Sequence, residues 1–540
     1  MAIAFVALLA PAISLAAPAF SFDNVAQVAK KLAAKPYQAP PGIPGFLANL
    51  SYDEFSQVRF NPKDTLWQGN CSPESQATDG RSGASNHGAQ HVRDAARRCS
   101  DQGRSQGFGV MLVAPGEYFK HPVTIDIVDS TGVHALKFHK DWFTWPKDIA
   151  GKIPDDLGYA GFKLTFPLDA AGDLNQFLVF AGASYFRGVA RDEHFGLSAR
   201  GIAIDTGLKT GEEFPDFTRF WLVRPARDAK TMRFYALLDG PSLTGAYQFD
   251  VTPGAPTRLA VHVRLFPRKA IPLLGLAPLT SMFFYGSNTP RWPGEWRGAV
   301  HDSGGLLVHS GTGEWLWRPL INPKTLQMDY FVANAPKGFG LLQRGTRFAD
   351  YEDAGARYDD RPSAWVAPDG NWGDGNVVLV ELPASSENDD NIVAFWSPKQ
   401  APPANKAYDV SYTLSLGAPG IPDEPSAQAV ATYIGNGTVP GTDKSAGGYR
   451  VIVDFAGGAL AKLKPDAKVQ AVVTGLDGTK VKQQSVSFVE PSKRWRLSML
   501  VAPADGKPLA LRAFLKQGDT TLSETWTYSL PAQNRFNAGP

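Results

Sequence analysis

The chain has 540 residues, which is too long for a single hydrophobic core, so roughly two to four domains are expected. Hydrophobic residues make up 43% and charged residues 20%, proportions that are ordinary for a soluble globular protein. The net charge is only +2 and the basic residues are scattered, which argues against a protein that binds nucleic acid.

The N-terminus has the pattern of an export signal. Residues 2–16 form an apolar run broken by Pro11, and Ala17-Pro18-Ala19 follows as a small-residue cleavage site. A signal peptide over residues 1–19 is therefore predicted, with the mature chain starting near Phe20. No basic residue precedes Lys30, so the usual positive start of a signal is missing, and a buried N-terminal helix is the alternative.

The two cysteines, Cys71 and Cys99, bracket a polar segment that also holds His87 and His91. In an oxidising compartment two cysteines usually pair, so a disulfide is the first interpretation. Free thiols and a zinc site are the alternatives, although the spacing matches no standard structural zinc pattern.

A short helix is predicted from Asp23, as its N-terminal cap, through Ala34, with Val25, Val28 and Leu32 on one face. Beyond about residue 105 the pattern changes to that of β-strands. Residues 123–127 and 259–265 alternate apolar and polar side chains, and residues 377–380 form a continuous apolar run.

A Pro- and Ala-rich stretch at residues 399–407 is predicted to be a linker between a large β domain, residues 20–398, and a small one, residues 408–535. About seven short strands are expected in the second domain, which favours an immunoglobulin-like sandwich. The strands predicted there lie at residues 410–416, 449–455, 495–501, 509–515 and 522–530.

The sequence lacks the serine-hydrolase elbow, the zinc-protease motif, the phosphate-binding loop and the dinucleotide-binding loop. His301, Asp302 and Ser303 are consecutive, and neighbours on a strand point to opposite faces, so they cannot form a catalytic triad. What remains is carboxylates among aromatic residues, including three acids in residues 387–390 that directly precede an apolar strand. Glycoside hydrolysis needs such a pair of acids, but a short acidic loop is also typical of a solvated turn.

The chain resembles the periplasmic glucan-biosynthesis proteins G and D over nearly its whole mature length. The matching motifs are FDNV (22–25), KPY (35–37), GASYFR (182–187), GLSARG (196–201), GEEFP (211–215), SMFFYG (281–286), HDS (301–303), GEWLWR (313–318), GFGLLQR (338–344), DNIVAFW (390–396), VDFAGG (453–458) and LSETW (522–526).

The resemblance implies an all-β chain: a large mutarotase-like sandwich followed by the immunoglobulin-like one. It implies a periplasmic location and a β-1,2-linked glucan substrate, with β-1,6 branches allowed. The expected partner is the membrane glucosyltransferase of the same pathway, and a homodimer is allowed. No metal or organic cofactor is required by this chemistry.

The family includes inverting endo-β-1,2-glucanases, and the resemblance assigns the catalytic roles. Asp390 matches the general acid, Asp302 the general base, and Tyr358 is a candidate relay between water and the base. The groove candidates, each weighed against a structural role, are Tyr185, Arg187, Trp315, Arg344 and Trp372.

Three departures from the family pattern stand out. Ser287 and Gly304 replace acids near the expected site, which leaves a non-catalytic glucan-binding or scaffold factor as the alternative function. In sequences of the family the Leu-Trp motif, here Leu66-Trp67, is followed directly by the next strand. Residues at about 70–107 are therefore interpreted as an inserted surface loop.

Overall fold

The structure is a computed structural model. It describes residues 20–68, 107–170, 173–418, 420–421, 424–425, 427–438, 445–504 and 507–530. The predicted signal peptide, the predicted insertion up to residue 106, and the group Cys71, His87, His91 and Cys99 lie outside the described residues.

Within these ranges strands dominate and α-helices are few. The α-helices are α1 (Phe22–Ala33), α2 (Gly45–Ala48), α3 (Tyr52–Phe55) and α4 (Phe348–Tyr351). The strands are β1 (Arg59–Phe60), β2 (Gly109–Val113), β3 (Thr124–Asp129), β4 (Gly132–Ala135), β5 (Phe143–Thr144), β6 (Gly161–Phe166), β7 (Asn175–Ala181), β8 (Tyr185–Gly188), β9 (Ser198–Arg200), β10 (Ile202–Ile204), β11 (Asp216–Val223), β12 (Met232–Asp239), β13 (Leu243–Thr252), β14 (Thr257–Pro267), β15 (Leu274–Ser281), β16 (Phe283–Tyr285), β17 (Val300–His301), β18 (Gly305–His309), β19 (Trp315–Pro319), β20 (Gln327–Val332), β21 (Gly338–Leu342), β22 (Ser363–Asp369), β23 (Gly375–Glu381), β24 (Ile392–Pro398), β25 (Tyr408–Gly417), β26 (Ala427–Thr438), β27 (Ser445–Gly457), β28 (Gln470–Leu476), β29 (Lys480–Val489), β30 (Arg494–Ala502), β31 (Leu509–Gln517), β32 (Thr520–Thr521) and β33 (Thr525–Leu530).

Two large sheets form the main sandwich. One has the order β2-β6-β7-β8-β9-β15-β24-β23-β20, with β10 also paired to β15. Its partner runs β19-β18-β21-β22-β25-β14-β13-β12-β11-β3-β4. The all-β sandwich expectation is confirmed, and alternation explains it: on β14 the residues Leu259, Val261, Val263 and Leu265 are buried while their neighbours face outward.

The core between the two sheets is rich in phenylalanine. Phe180 stacks on Phe186 at 4.5 Å and meets Phe249 edge-on at 5.2 Å. Such offset and edge-on contacts add to the free energy gained by burying the rings. The core fixes which face of each strand points inward, and therefore which side chains lie on the outer face of the sheet.

The C-terminal unit is a second sandwich. Its sheet β26-β27-β30-β29 packs on β28-β31-β33, and Val451, Leu497 and Leu511 are fully buried between them. Strand β33 also pairs in parallel with β19, so the second sheet continues the large sheet of the first sandwich.

The boundary predicted between the two domains needs correction. Strand β25 (Tyr408–Gly417), expected to open the C-terminal domain, pairs instead with β14 and β22 in the large sheet. Its residues Val410 and Leu414 are buried in the main core. Residues 399–407 therefore connect the two sheets of one sandwich. The predicted boundary was wrong because the alternation of apolar and polar residues predicts a strand but not the strands with which it pairs.

Helix α1 lies on the outer face of the large sheet. Its N-terminal cap is Ser21, in a reciprocal capping box with Asn24, and not Asp23 as predicted. Val25 and Ala29 are buried against the sheet, whereas Val28 is exposed because the buried face is rotated from the predicted one. None of the helices in the described ranges is long and apolar enough to cross a membrane.

Candidate functional site

A row of polar side chains lies on the outer face of the ten-stranded sheet. On β8 and β9, Arg187 donates from Nε to Ser198 Oγ at 3.1 Å. Phe186 and Ala199, which alternate with them, point into the core. The strand period of two thus separates an apolar inner face from a polar outer one.

Arg200 organises one end of this row. The side chain is buried, donates from Nε to Thr280 Oγ1 at 2.9 Å, and pairs through Nη1 with Glu212 Oε1 at 2.5 Å. The guanidinium carbon lies 5.1 Å from the centre of the Tyr185 ring and 5.7 Å from that of Phe214. Burial raises the pKa of Tyr185, so its hydroxyl stays protonated at neutral pH.

Asp390 stands at the open end of the same surface, two residues before β24. Its side chain is 41% exposed, and its Oδ2 lies 3.2 Å from Nη2 of Arg187. The next residue, Asn391, is buried and fixes the backbone: it accepts from Phe283 N at 2.9 Å and donates to Phe283 O at 3.1 Å. Asp390 is therefore presented to solvent by a firmly held loop.

Asp302, by contrast, is buried. It follows β17, and its backbone N–H donates to Met282 O at 2.9 Å. Its carboxylate oxygen Oδ1 lies 3.3 Å from Nη1 of Arg361, which also donates to Phe195 O and Ala356 O. The guanidinium is thus held in place and balances the charge of the buried acid.

The fold brings the two acids onto opposite sides of one short segment. Ile392 pairs with Ser281, and His301 pairs with Phe283. The strand leading to Asp302 and the strand following Asp390 are therefore two strand spacings apart, or about 10 Å between backbones.

Tyr358 lies beside the ion pair formed by Asp302 and Arg361. Its ring centre is 5.1 Å from the Arg361 guanidinium carbon, and its hydroxyl donates to Glu387 Oε2 at 3.0 Å. Burial raises the pKa of Tyr358, and the negative charges of Glu387 and Asp302 raise it further. The phenol therefore keeps its proton.

Arg297 joins three acids at this edge of the site. It contacts Glu295 at 2.7 Å, Asp353 at 3.0 Å and Glu387 at 2.5 Å. Neither Arg297 nor Arg361 belongs to a motif that the sequence analysis singled out. Both arginines bind acids that lie far away in the sequence, and no local sequence pattern predicts such contacts.

Three of the predicted groove residues lie elsewhere. Trp315 is buried and stacks on His309 at 3.8 Å, and Trp372 is buried and donates from its indole N–H to a backbone carbonyl at 3.1 Å. Arg344 lies 3.7 Å from the ring centre of Trp317 and pairs with Glu524 at 2.5 Å. These side chains hold the core and join the sandwiches, so only Tyr185 and Arg187 are placed beside Asp390.

The two positions that depart from the family pattern have different surroundings. Ser287 is exposed and donates to Thr432 O of the C-terminal sandwich at 3.1 Å. At Gly304 an added Cβ would have its nearest neighbour, Gln343 Oε1, at 3.6 Å. A Cβ at position 304 would therefore make only ordinary van der Waals contacts.

Comparison with known proteins establishes the family. The family model described as "Periplasmic glucan biosynthesis protein, MdoG" matches residues 20–80 and 85–530. The chain belongs to this family, which confirms the resemblance seen in the motifs, and the family's description names its members as periplasmic. The match is interrupted at residues 81–84, within the segment interpreted as an inserted loop.

Two similar proteins are both named glucans biosynthesis protein G. The glucans biosynthesis protein G of Ralstonia nicotianae is 40% identical over 535 residues, covering 97% of this chain and 99% of the relative. The glucans biosynthesis protein G of Dickeya dadantii is 38% identical over 527 residues, covering 96% of this chain and 94% of the relative. The similarity thus includes both sandwiches.

Proposed function

We propose that the protein is exported to the periplasm and processes the β-1,2-linked backbone of a glucan as an inverting endo-glucanase. The observation that carries this proposal is that Asp390 shortly precedes, and Asp302 directly follows, the two strands that pair with Ser281 and Phe283. The names of the relatives support a role in glucan biosynthesis. We place that role beside the membrane glucosyltransferase that makes the polymer.

The environments of the two acids suit different roles. Asp390 is exposed, so its carboxylic acid can reach a glycosidic oxygen and donate the proton that the leaving sugar needs. Asp302 is buried beside Arg361, so its carboxylate is the natural acceptor of the proton that water loses when it attacks the anomeric carbon.

The burial of Asp302 favours a relayed base, because an inverting pair that activates water directly holds that water between its two carboxyl groups. Because Asp302 is buried, the water's proton passes through the Tyr358 hydroxyl, which must exchange its acceptor from Glu387 to Asp302. One proton reaches the leaving oxygen and one reaches the base, so the hydrolysis balances.

A non-catalytic glucan-binding factor that assists the glucosyltransferase is the second candidate. The burial of Asp302 favours it, because a base without direct access to water depends wholly on the relay. The replacement of family acids by Ser287 and Gly304 favours it too.

The test is incubation of the purified protein with linear β-1,2-glucan, comparing wild type with Asp390→Asn. We expect shortened products from the wild type, released as the inverted anomer by NMR, and a loss of at least about 100-fold in the variant because no proton donor remains. Asp389→Asn is the matched control, since Asp389 is the adjacent exposed acid and accepts from backbone N–H groups that an amide oxygen also satisfies. If the wild type releases no product, the binding function replaces the enzymatic one.

A further inference from the structure

The connection between β16 and β17, residues 286–299, carries two exposed tryptophans. Trp292 is 43% exposed and Trp296 is 63% exposed. Tryptophan is on average a highly buried residue, so two exposed indoles on one short loop are unusual. Neither residue is among the groove candidates predicted from the sequence, whose tryptophans are Trp315 and Trp372.

The loop is held in a fixed conformation. The Trp292 ring stacks on Phe284 with its centre 4.8 Å away and the planes 21° apart. The Glu295 carboxylate accepts from the backbone N–H of Trp296 at 3.0 Å and from Arg297 Nε at 2.9 Å. A ligand that packs on these indoles finds their backbone already ordered, which lowers the entropic cost of binding.

The loop also borders both acids. Its first end continues from Phe283, which Asn391 fixes beside Asp390, and its last end runs through His301 into Asp302. In addition, Arg297 pairs at 2.5 Å with Glu387, three residues before Asp390. The loop that carries the indoles is therefore connected at both ends to the segments that hold the two acids.

We propose that Trp292 and Trp296 form an aromatic subsite that binds glucose units of the glucan outside the acid pair. A pyranose ring presents C–H groups on its faces and hydroxyls at its rim, which matches an indole face bordered by charged groups. The choice of ligand rests on the proposed function, but binding here does not require that the acids hydrolyse anything.

The test measures binding in the Asp390→Asn background, where the ligand stays intact. Isothermal titration with linear β-1,2-glucan compares this variant with its Trp296→Ala and Trp292→Ala derivatives. We expect the dissociation constant for the polymer to rise about tenfold for Trp296→Ala, and less for Trp296→Phe, which keeps an aromatic ring.

Tyr118→Ala is the matched control, because Tyr118 is an aromatic residue with 76% exposure in the loop between β2 and β3. This substitution should leave the dissociation constant unchanged. Equal polymer affinity with and without Trp296 would overturn the subsite, whatever the wild type does to glucan. Loss of self-association in place of glucan affinity would overturn it also, since the indoles would then bind a second copy.

The two proposals fail separately. If Asp390→Asn binds polymer through Trp296 while the wild type never cleaves it, the subsite stands and the hydrolase does not. If the wild type cleaves but Trp296→Ala binds normally, the hydrolase stands alone.

Discussion

At the residue scale, the acids packed around the site differ in what balances their charge. Asp302 has the guanidinium of Arg361 beside it. Glu193 lies beside the segment that carries Arg361, since the next residue, His194, donates its backbone N–H to Asp360 O. The Glu193 carboxylate accepts the backbone N–H of Ala190 at 2.9 Å. Burial raises the pKa of Glu193 to about 7, and the charge of Asp360 adds to the shift.

This shift predicts a pH-dependent stability. The folded state holds the Glu193 proton up to about pH 7, whereas the unfolded chain releases it near the ordinary glutamate pKa of 4.5. The contribution of Glu193 is thus fully present below that value and is lost as the pH rises through about 7. Glu193→Gln, which stays neutral, should gain stability over wild type as the pH rises, by at most about 3 kcal/mol. Melting temperatures of both proteins from about pH 5 to 8 check this.

Glu490→Gln is the control for this series, because Glu490 is exposed and pairs with Lys493 at the surface. Its melting temperature should follow that of the wild type at every pH. Parallel curves for Glu193→Gln and wild type would contradict the prediction.

At the element scale, the sequence predicted strands better than it predicted their partners. Alternation located β14 and the apolar run located β23, because each strand buries one or both faces in a core. It could not place β25, whose pairing with β14 and β22 depends on segments about 150 and 50 residues away. The acids were identified by resemblance, whereas Arg361 and Arg297 carry no local signal.

The element that presents Asp390 depends on the Asn391 side chain, which bonds both backbone groups of Phe283 and donates to Leu382 O at 3.0 Å. Asn391→Ala leaves these buried groups unpaired, so we expect a loss of about 2–4 kcal/mol of stability. Because the loop loses its fixed position, activity on glucan should fall more than the unfolded fraction explains. Thermal unfolding and the cleavage assay on the same preparation measure both effects.

Asn388→Ala is the matched control in the same loop, since Asn388 is exposed. It should keep both stability and activity. An Asn391→Ala protein that melts lower but cleaves normally would show that Asn391 does not position Asp390.

At the scale of the whole molecule, the two sandwiches share one sheet and are joined by ion pairs, among them Arg512–Glu314 and Arg344–Glu524. Arg344 of the first sandwich pairs through both terminal nitrogens with Glu524 of the second, at 2.5 and 2.9 Å, and Glu524 is fully buried. Its Oε1 also accepts from the backbone N–H of Ala429 at 2.9 Å. The C-terminal sandwich is therefore part of the same structural unit as the site.

Glu524→Gln tests this unit. It removes the carboxylate and leaves the Arg344 charge without its main partner, so we expect a loss of about 3–5 kcal/mol and a lower melting temperature. Calorimetry should show one transition for the wild type and for the variant, because β33 and β19 belong to one sheet. Two separate transitions in the wild type would contradict the coupling.

The pairing of β25 has a consequence for the order in which the chain is made. Until residues 408–417 emerge, β14 and β22 are not joined, and each exposes an unpaired edge with a hydrophobic face behind it. Even then β19 lacks its pairing partner β33, which lies about 200 residues later in the sequence. A chain that emerges from its N-terminus first therefore cannot complete the large sheet until its last strands have emerged. Until then its unpaired strand edges can aggregate unless another protein shields them.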